Sequence, residues 1–210
     1  MIPKVIHQIW LGDQNKRPQK LIDTWKKLNP SWEHKLWTEE NLPELICKDQ
    51  FNSIKELAGK ADILRYEILY QFGGFFIDAD SECISPLDDF FLDNDSFCCW
   101  ENEKVRPNLM ANGYLAATKN NSLMAGLLQI IKSMDCNYLK KLPPKNAWVT
   151  VGPMLLTNVV MYNKYNKIKV YPSWYFIPKH YTGEEYTGND KVYCKQYFMS
   201  TPQSGNSYDT

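Results

Sequence analysis

The sequence predicts an α/β layered fold built on a largely parallel central sheet, and three observations carry that expectation. Strand-patterned and helix-patterned segments alternate through the first two-thirds of the 210 residues. The stretch GGFFID (73–78) is apolar without a break up to its aspartate, as a strand covered on both faces must be. Segments with an apolar stripe at helical spacing stand before and after it, each needing a face to cover. The length fits a single domain spanning 1–210, with STPQSGNSYDT (from about residue 200) as a polar tail or a linker to further domains.

The elements follow in order. KVIHQIW (4–10) carries β-branched residues in an imperfect alternation and predicts a first strand. LGDQNKRP is a turn-rich loop. Leu21, Ile22, Trp25 and Leu28 fall at helical spacing, in a helix closing before Pro30. EHKLW (33–37) predicts a second strand, and Thr38 with Glu39 and Glu40 predicts a helix start. A helix over about 60–72 ends at Gly73-Gly74, which allow a tight return into the apolar strand. SFCCW (96–100) and GYLAAT (113–118) predict further strands. SLMAGLLQIIKSM (122–134) predicts a helix capped by Ser122, and VGPMLLTNVVMY a helix with Pro153 in its first turn, where the missing donor is harmless. Beyond about residue 168, aromatics, Pro and Gly predict loops and short strands over one face.

Composition narrows the function. Lys and Arg (24) balance Asp and Glu (24), which argues against a nucleic-acid partner. Cys47, Cys83, Cys98, Cys99, Cys136 and Cys194 form no CxxC pair, and the histidines (His7, His34, His180) offer no zinc spacing. Reduced thiols in a soluble cytoplasmic protein are the expectation, with no transmembrane run and no signal-peptide pattern.

Two aspartates end the apolar strand. On an extended strand Asp78 and Asp80 point to one side, beyond the carboxyl end of the sheet, where α/β folds bind ligands. Either they cap the following turn, or they hold a cation. Two hard oxygen donors without Cys or His suit Mg²⁺ or Mn²⁺, ions held by one or two carboxylates plus substrate phosphates. At 4 Å and an effective dielectric of 20, one unit charge pair is worth about 4 kcal/mol, so a divalent ion turns a pocket that repels a diphosphate into one that binds it. On the preceding helix, Asp62 and Arg65 share a face apart from the apolar stripe of Ala61, Leu64, Ile68 and Phe72. They are either a surface ion pair or ligand contacts, Asp62 accepting from sugar hydroxyls and Arg65 donating to a sugar oxygen or phosphate.

Together, HQIWLG and KADILRYEILYQFGGFFIDADSE resemble the DxD-type glycosyltransferases of the family that includes initiating α-1,6-mannosyltransferases, and more distantly the clostridial glucosylating toxins. The compact form also resembles bacterial and large-virus members, including algal-virus capsid-sugar enzymes. The resemblance implies the single-domain nucleotide-sugar fold called GT-A. It implies transfer of a hexosyl group from a UDP-sugar donor to a glycan or other hydroxyl acceptor, with Mn²⁺ or Mg²⁺, in a host cytoplasm if the protein is viral. It assigns Trp10 to stacking on the nucleotide base, with Leu11 and Gly12 placing backbone beside it. Asp62 and Arg65 match donor-sugar contacts, Asp78 the first DxD carboxylate near ribose and sugar, and Asp80 the principal metal ligand. Asn112 in MANGYLAAT matches a sugar contact near the reaction centre, but a turn Asn beside Gly113 explains it equally well. VGP (151–153) matches a Gly-Pro near the acceptor side and is also simply a good helix start.

The C-terminal segment departs from the family, which commonly places a His and a Ser-Trp there. In VYCKQYFMSTPQSGNSY, Lys195, Gln196, Tyr197 or Ser200 stand in, Gln196 as an oxygen ligand to the metal and Lys195 as a point charge on phosphate; His180 is a further candidate. An inverting reaction needs a general base, for which Glu101, Glu103, Glu184 and Asp190 are candidates, while the nearest relatives imply retention. The competing readings are a sugar-binding module without turnover and a DxD phosphohydrolase.

Overall fold

The computed structural model of the chain describes residues 1–162 and 165–199; the tail expected from about residue 200, and with it Ser200, lies outside the described residues. A six-stranded sheet runs in the order β2 (Glu33–Trp37), β1 (Val5–Ile9), β3 (Gly74–Ile77), β6 (Arg106–Ala117), β5 (Ser96–Asn102) and β7 (Ile168–Tyr171). β1 pairs in parallel with both β2 and β3, and β5 with β7. β6 is antiparallel to β3 and to β5, so it alone runs against the other strands of this sheet. The expected mostly parallel sheet is what the chain forms.

Successive residues of β3 enter opposite cores. Phe76 packs with α3 (Leu57–Phe72), α4 (Ser122–Lys132) and α7 (Pro153–Tyr162); Phe75 and Ile77 pack with Trp25 of α1 (Gln19–Leu28) and an aromatic group that includes Phe91, Phe97, Phe176 and Tyr193. Phe75 meets Phe97 edge-on with ring centroids 4.8 Å apart, and Phe91 meets Tyr193 likewise at 5.0 Å. The aromatic-rich last third therefore builds the second core layer, as well as short elements above it. One of these, β8 (Cys194–Gln196), pairs antiparallel with β4 (Ser81–Cys83) in a two-stranded ribbon. Among the described residues no helix is long and apolar enough to cross a membrane.

Several expectations need correction. No helix begins at Thr38: the Asn41 side chain accepts from the Thr38 N–H at 2.7 Å and closes a turn, and the next helix, α2 (Lys48–Ser53), starts ten residues on. α4 is capped by Asn121, whose side chain accepts from the Leu123 and Met124 amides, and not by Ser122. α3 starts at Leu57 and is buried nearly all round, so Asp62 and Arg65, expected on a polar face, lie inside. β6 extends to Arg106 through the polar RPN stretch.

His7 ties the central elements together. Its Nε2 lies 2.8 Å from the Gly73 carbonyl, and its Nδ1 accepts from Trp37 Nε1 at 3.1 Å. Accepting at Nδ1 leaves the ring proton on Nε2, and burial lowers the imidazole pKa to about 4. Gly73 and Gly74 both have positive φ (65° and 107°), which lets the chain reverse from α3 into β3 against this ring.

Candidate active site

β3 ends at Ile77, one residue before the first aspartate, so Ala79 and Asp80 sit in a turn. The strand alternation used to place the two carboxylates on one side does not extend to them. They face the same cleft because the turn returns them there: Ser81 Oγ donates to the Asp78 carbonyl at 2.6 Å, and the Asp78 amide donates to Gly113 at 2.9 Å. The cleft has a volume of about 670 Å³ and crosses the carboxyl ends of β1, β3 and β5.

Asp62 and Arg65 meet Asn112 and Asp78 at the cleft floor. Arg65 Nη2 lies 3.2 Å from Asp62 Oδ1 and 3.6 Å from Asp78 Oδ1, with its guanidinium 4.4 Å from the Phe76 ring centre. Asn112 Nδ2 donates to Asp62 Oδ1 at 2.8 Å and to the Tyr66 hydroxyl at 3.1 Å. The turn-residue explanation of Asn112 falls away, because its side chain reaches 50 residues back to α3 from within β6. Asp62 and Arg65 are 5% and 6% exposed, too buried for a surface ion pair. Burial pushes the Asp62 carboxyl up, opposed by Arg65 and by the Asn112 hydrogen bond. One guanidinium thus balances two carboxylates in a partly desolvated site, and Asp80 adds a third.

Two glycines make room for these acids. A Cβ on Gly113 would stand 2.2 Å from Asp78 Oδ2, and one on Gly152 would stand 2.6 Å from Asp62 Oδ2. Gly152 also accepts from the Tyr66 hydroxyl at 3.2 Å, which gives VGP a part in the site besides starting α7. Sequence reasoning missed both roles, because a glycine required by a distant side chain leaves no local pattern.

Asp80 is held from the far end of the described chain. Its Oδ1 accepts from Gln196 Nε2 at 3.0 Å and its Oδ2 from the Met199 amide at 2.7 Å. Gln196 turns its oxygen to the Tyr114 hydroxyl, so the expected oxygen ligand instead presents a donor to Asp80. Burial raises the Asp80 pKa against these two hydrogen bonds. For Asp78, burial again leads, the Asp80 and Asp62 charges add to it, and Arg65 opposes it. Lys195 alternates away from Gln196 along β8, is exposed, and packs over Tyr197 with its Nζ 4.7 Å from the ring centre. The basic side chains that do line the cleft are Lys16 and Arg65.

At the β1 end, Trp10 and Leu11 line the cleft, with Trp10 Nε1 donating to Asp13 at 3.0 Å. Gly12 turns with φ 91°, and its amide donates to Glu39 at 2.6 Å. Leu57, Trp148 and Lys16 also line the cleft and were not anticipated. Of the four acids considered as bases, Glu101 alone lines the cleft. Glu103 accepts from the Ser173 amide at 2.9 Å, Glu184 pairs with Lys104, and Asp190 accepts from the Tyr186 hydroxyl. His180, the further candidate from the sequence, is 1% exposed and sits 3.6 Å from Glu101.

The acids fit a divalent cation as a partial site. Among the described residues no three His, Cys, Asp or Glu side chains converge on one point, so the protein alone makes no metal cage. Asp78 and Asp80 are hard oxygen donors crowded into one cleft, and each Asp80 oxygen keeps a lone pair beyond the hydrogen bond it accepts. Phosphate oxygens and water are the usual remaining ligands of Mg²⁺ and Mn²⁺ at such a site.

Comparison with known proteins agrees with this geometry. Inositol phosphoceramide mannosyltransferase 3 of Schizosaccharomyces pombe is 27% identical over 185 residues, covering 84% of this chain and 49% of that protein. Inositol phosphoceramide mannosyltransferase 1 of the same yeast is 25% identical over 209 residues, 90% of this chain and 63% of that protein. The chain therefore spans between about half and two-thirds of the length of these relatives. An uncharacterised glycosyltransferase of Acanthamoeba polyphaga mimivirus is 27% identical over 194 residues, 85% of this chain and 74% of that protein. In structure, the chain is similar to the PaToxG glycosyltransferase (TM-score 0.63, 19% identity, 78% of this chain and 70% of that one). It is also similar to the UDP-bound glycosyltransferase domain of the YGT toxin (TM-score 0.55, 12% identity, 81% and 79%). The fold is accordingly the GT-A type expected from the sequence. Residues 15–98 match the family described as the glycosyltransferase sugar-binding region containing a DXD motif, and the DXD of this chain is Asp78-Ala79-Asp80.

Proposed function

We propose that the chain is a glycosyltransferase moving a hexosyl group from a nucleoside-diphosphate sugar, a UDP-sugar by preference, to an acceptor hydroxyl with the help of Mn²⁺ or Mg²⁺. The observation that carries this reading is the meeting of Asp78 and Asp80 with the buried Asp62–Arg65–Asn112 group in one cleft at the strand ends. Such a buried, mutually satisfied polar set is rigid and fixes the orientation of a hydroxyl-rich ligand.

Each residue then has a physical task. Trp10 offers an indole face to the base at the β1 end, with Leu11 behind it. Asp62 and Asn112 present an acceptor and a donor for sugar hydroxyls, already oriented by each other and by Tyr66. Arg65, pinned between Asp62 and Asp78 over Phe76, places positive charge where the sugar and its diphosphate join. Asp80 and Asp78 would hold the cation, which when bound neutralises charge growing on the departing diphosphate. Gln196 and the Met199 amide fix the Asp80 carboxylate, so no rotamer search is needed when the donor arrives.

Incubation with UDP-glucose, UDP-galactose, UDP-N-acetylglucosamine and GDP-mannose, with Mn²⁺ or EDTA, tests the reading. Release of UDP or GDP that EDTA suppresses is the expected result. Phosphate release from a monoester substrate without nucleotide release would replace it with the phosphohydrolase, and cation-dependent binding without any release with a sugar-binding module.

A further inference from the structure

Beyond the donor site, the cleft continues along the sheet edge to β5, where Glu101 stands next to the buried His180. The strand order places these positions in space. β1, with Trp10 just past its end, is separated from β5 by β3 and β6, and neighbouring strands lie about 4.8 Å apart. A donor with its base at β1 and its diphosphate at the β3 aspartates puts its sugar near β3 and β6. The next stretch of cleft wall is the C-terminal end of β5, and the acidic side chain there is Glu101.

His180 is built to hold that acid. Its ring is fully buried, and Nδ1 accepts from the Thr182 amide at 3.3 Å, with Thr182 Oγ1 at 2.8 Å. Accepting there puts the ring proton on Nε2. Nε2 has no hydrogen-bond partner among the described residues, and the nearest carboxylate oxygen is Glu101 Oε1, 3.6 Å away. The ring is wedged by Tyr181, at 4.1 Å between centroids, and by the cleft-lining Phe198, at 5.7 Å. A buried donor without a partner among the described residues, with a cleft carboxylate just beyond hydrogen-bond reach, is an unfinished hydrogen bond. It closes if the carboxylate swings by roughly half an ångström, within the tightening such contacts undergo on substrate binding.

We propose that Glu101 is the acceptor-binding residue: its carboxylate accepts a hydrogen bond from the attacking hydroxyl of a neutral polyol or glycan, while His180 Nε2–H positions that carboxylate. The proposal rests on the glycosyltransferase reading above. It also accounts for the absence of any lysine or arginine pairing with Glu101 among the described residues, since its free oxygen is reserved for a hydroxyl. The Glu101 carboxylate itself disfavours an anionic group at the same point, which is why the acceptor is neutral where it is attacked.

The test separates transfer from donor hydrolysis in wild type, Glu101→Gln, Glu101→Ala and His180→Gln. Each is incubated with the donor that wild type hydrolyses fastest, with and without myo-inositol or methyl α-mannoside as probe acceptor. Loss of the charged acceptor should lower transfer by about 10- to 100-fold, the worth of a charge-assisted hydrogen bond, with donor hydrolysis and the UDP–Mn²⁺ thermal shift kept. His180→Gln should raise the acceptor KM more than it lowers kcat. Wild-type transfer by both Glu101 variants overturns the proposal, as does parallel loss of hydrolysis and of the thermal shift, which would make Glu101 a donor residue. Wild type that hydrolyses its donor but neither glycosylates the probes nor is slowed by them overturns the neutral-polyol acceptor. Wild type that releases no nucleotide from any donor sinks the transferase reading and this proposal together.

Discussion

Replacing Gly113 by alanine puts a single methyl group against the first aspartate of the DXD motif. The added Cβ would lie 2.2 Å from Asp78 Oδ2 and 2.8 Å from its Cγ, and real Cβ contacts essentially never fall below 3.0 Å. The carboxylate has to retreat by about 0.8 Å, the difference between 2.2 and 3.0 Å. Because the obstacle is the end of a side chain and not backbone, the fold absorbs the change, at a cost of about 1–3 kcal/mol for overpacking. For a domain of this size that is a fall in Tm of roughly 2–12 °C, at about 2–4 °C per kcal/mol. The site fares worse. A displacement of that size in a positioned catalytic group costs about 10²-fold in rate, and it disturbs the 3.6 Å contact with Arg65. The assays are a thermal-shift titration with UDP and Mn²⁺ and nucleotide release from the best donor. Gly126→Ala is the control, since a Cβ at this glycine in the middle of α4 meets nothing within 4 Å; it should gain about 0.5–1 kcal/mol from helix propensity and keep full activity. Wild-type cation dependence and turnover in Gly113→Ala would refute the idea that Asp78 works from this position.

Trp10→Ala should weaken UDP binding by about 1–3 kcal/mol, the stacking range of bases on aromatic rings, and unchanged calorimetric affinity would remove Trp10 from the site. Asp80→Ala should abolish cation-dependent nucleotide release while circular dichroism stays native; turnover that still rises with Mn²⁺ would contradict its assignment. His7 makes the fold acid-sensitive. Its folded pKa of about 4 lies below the unfolded 6.5, so its contribution is complete above pH 6.5 and is lost as pH falls towards 4. The loss is on the order of 3 kcal/mol, at 1.36 kcal/mol per unit. Urea titrations of wild type and His7→Gln at pH 7 and pH 4.5 should show wild type losing the larger part of its stability, and equal losses would refute the linkage.

What the sequence made legible was local or strongly patterned. The apolar run of β3, the glycine reversal at Gly73-Gly74 and the helices α1, α4 and α7 follow from spacing, β-branching and turn chemistry alone. Errors arose where a side chain from elsewhere overrode a local rule. Asn41 closed a turn over Thr38, whose neighbours read as a helix start. α3 looked amphipathic, yet it is enclosed by the sheet and by neighbouring helices, and this enclosure turns Asp62 and Arg65 from surface charges into a buried pair. The DXD aspartates do line one cleft, but the strand alternation that put them on one side fails at Ile77, where β3 ends. Gly152, His180 and the separation of Glu101 from Glu103, Glu184 and Asp190 depend on contacts between residues far apart in the chain. No period of two or 3.6 encodes such contacts.

Among the described residues, Asp80 takes its side-chain hydrogen bonds from Gln196 and Met199, more than a hundred positions downstream. A nascent polypeptide could complete its sheet and close α3 against it while this acid still rotated freely. Readiness of this acid would then arrive last, at the docking of the ribbon strand, together with the final pieces of the aromatic core, Cys194 and Phe198.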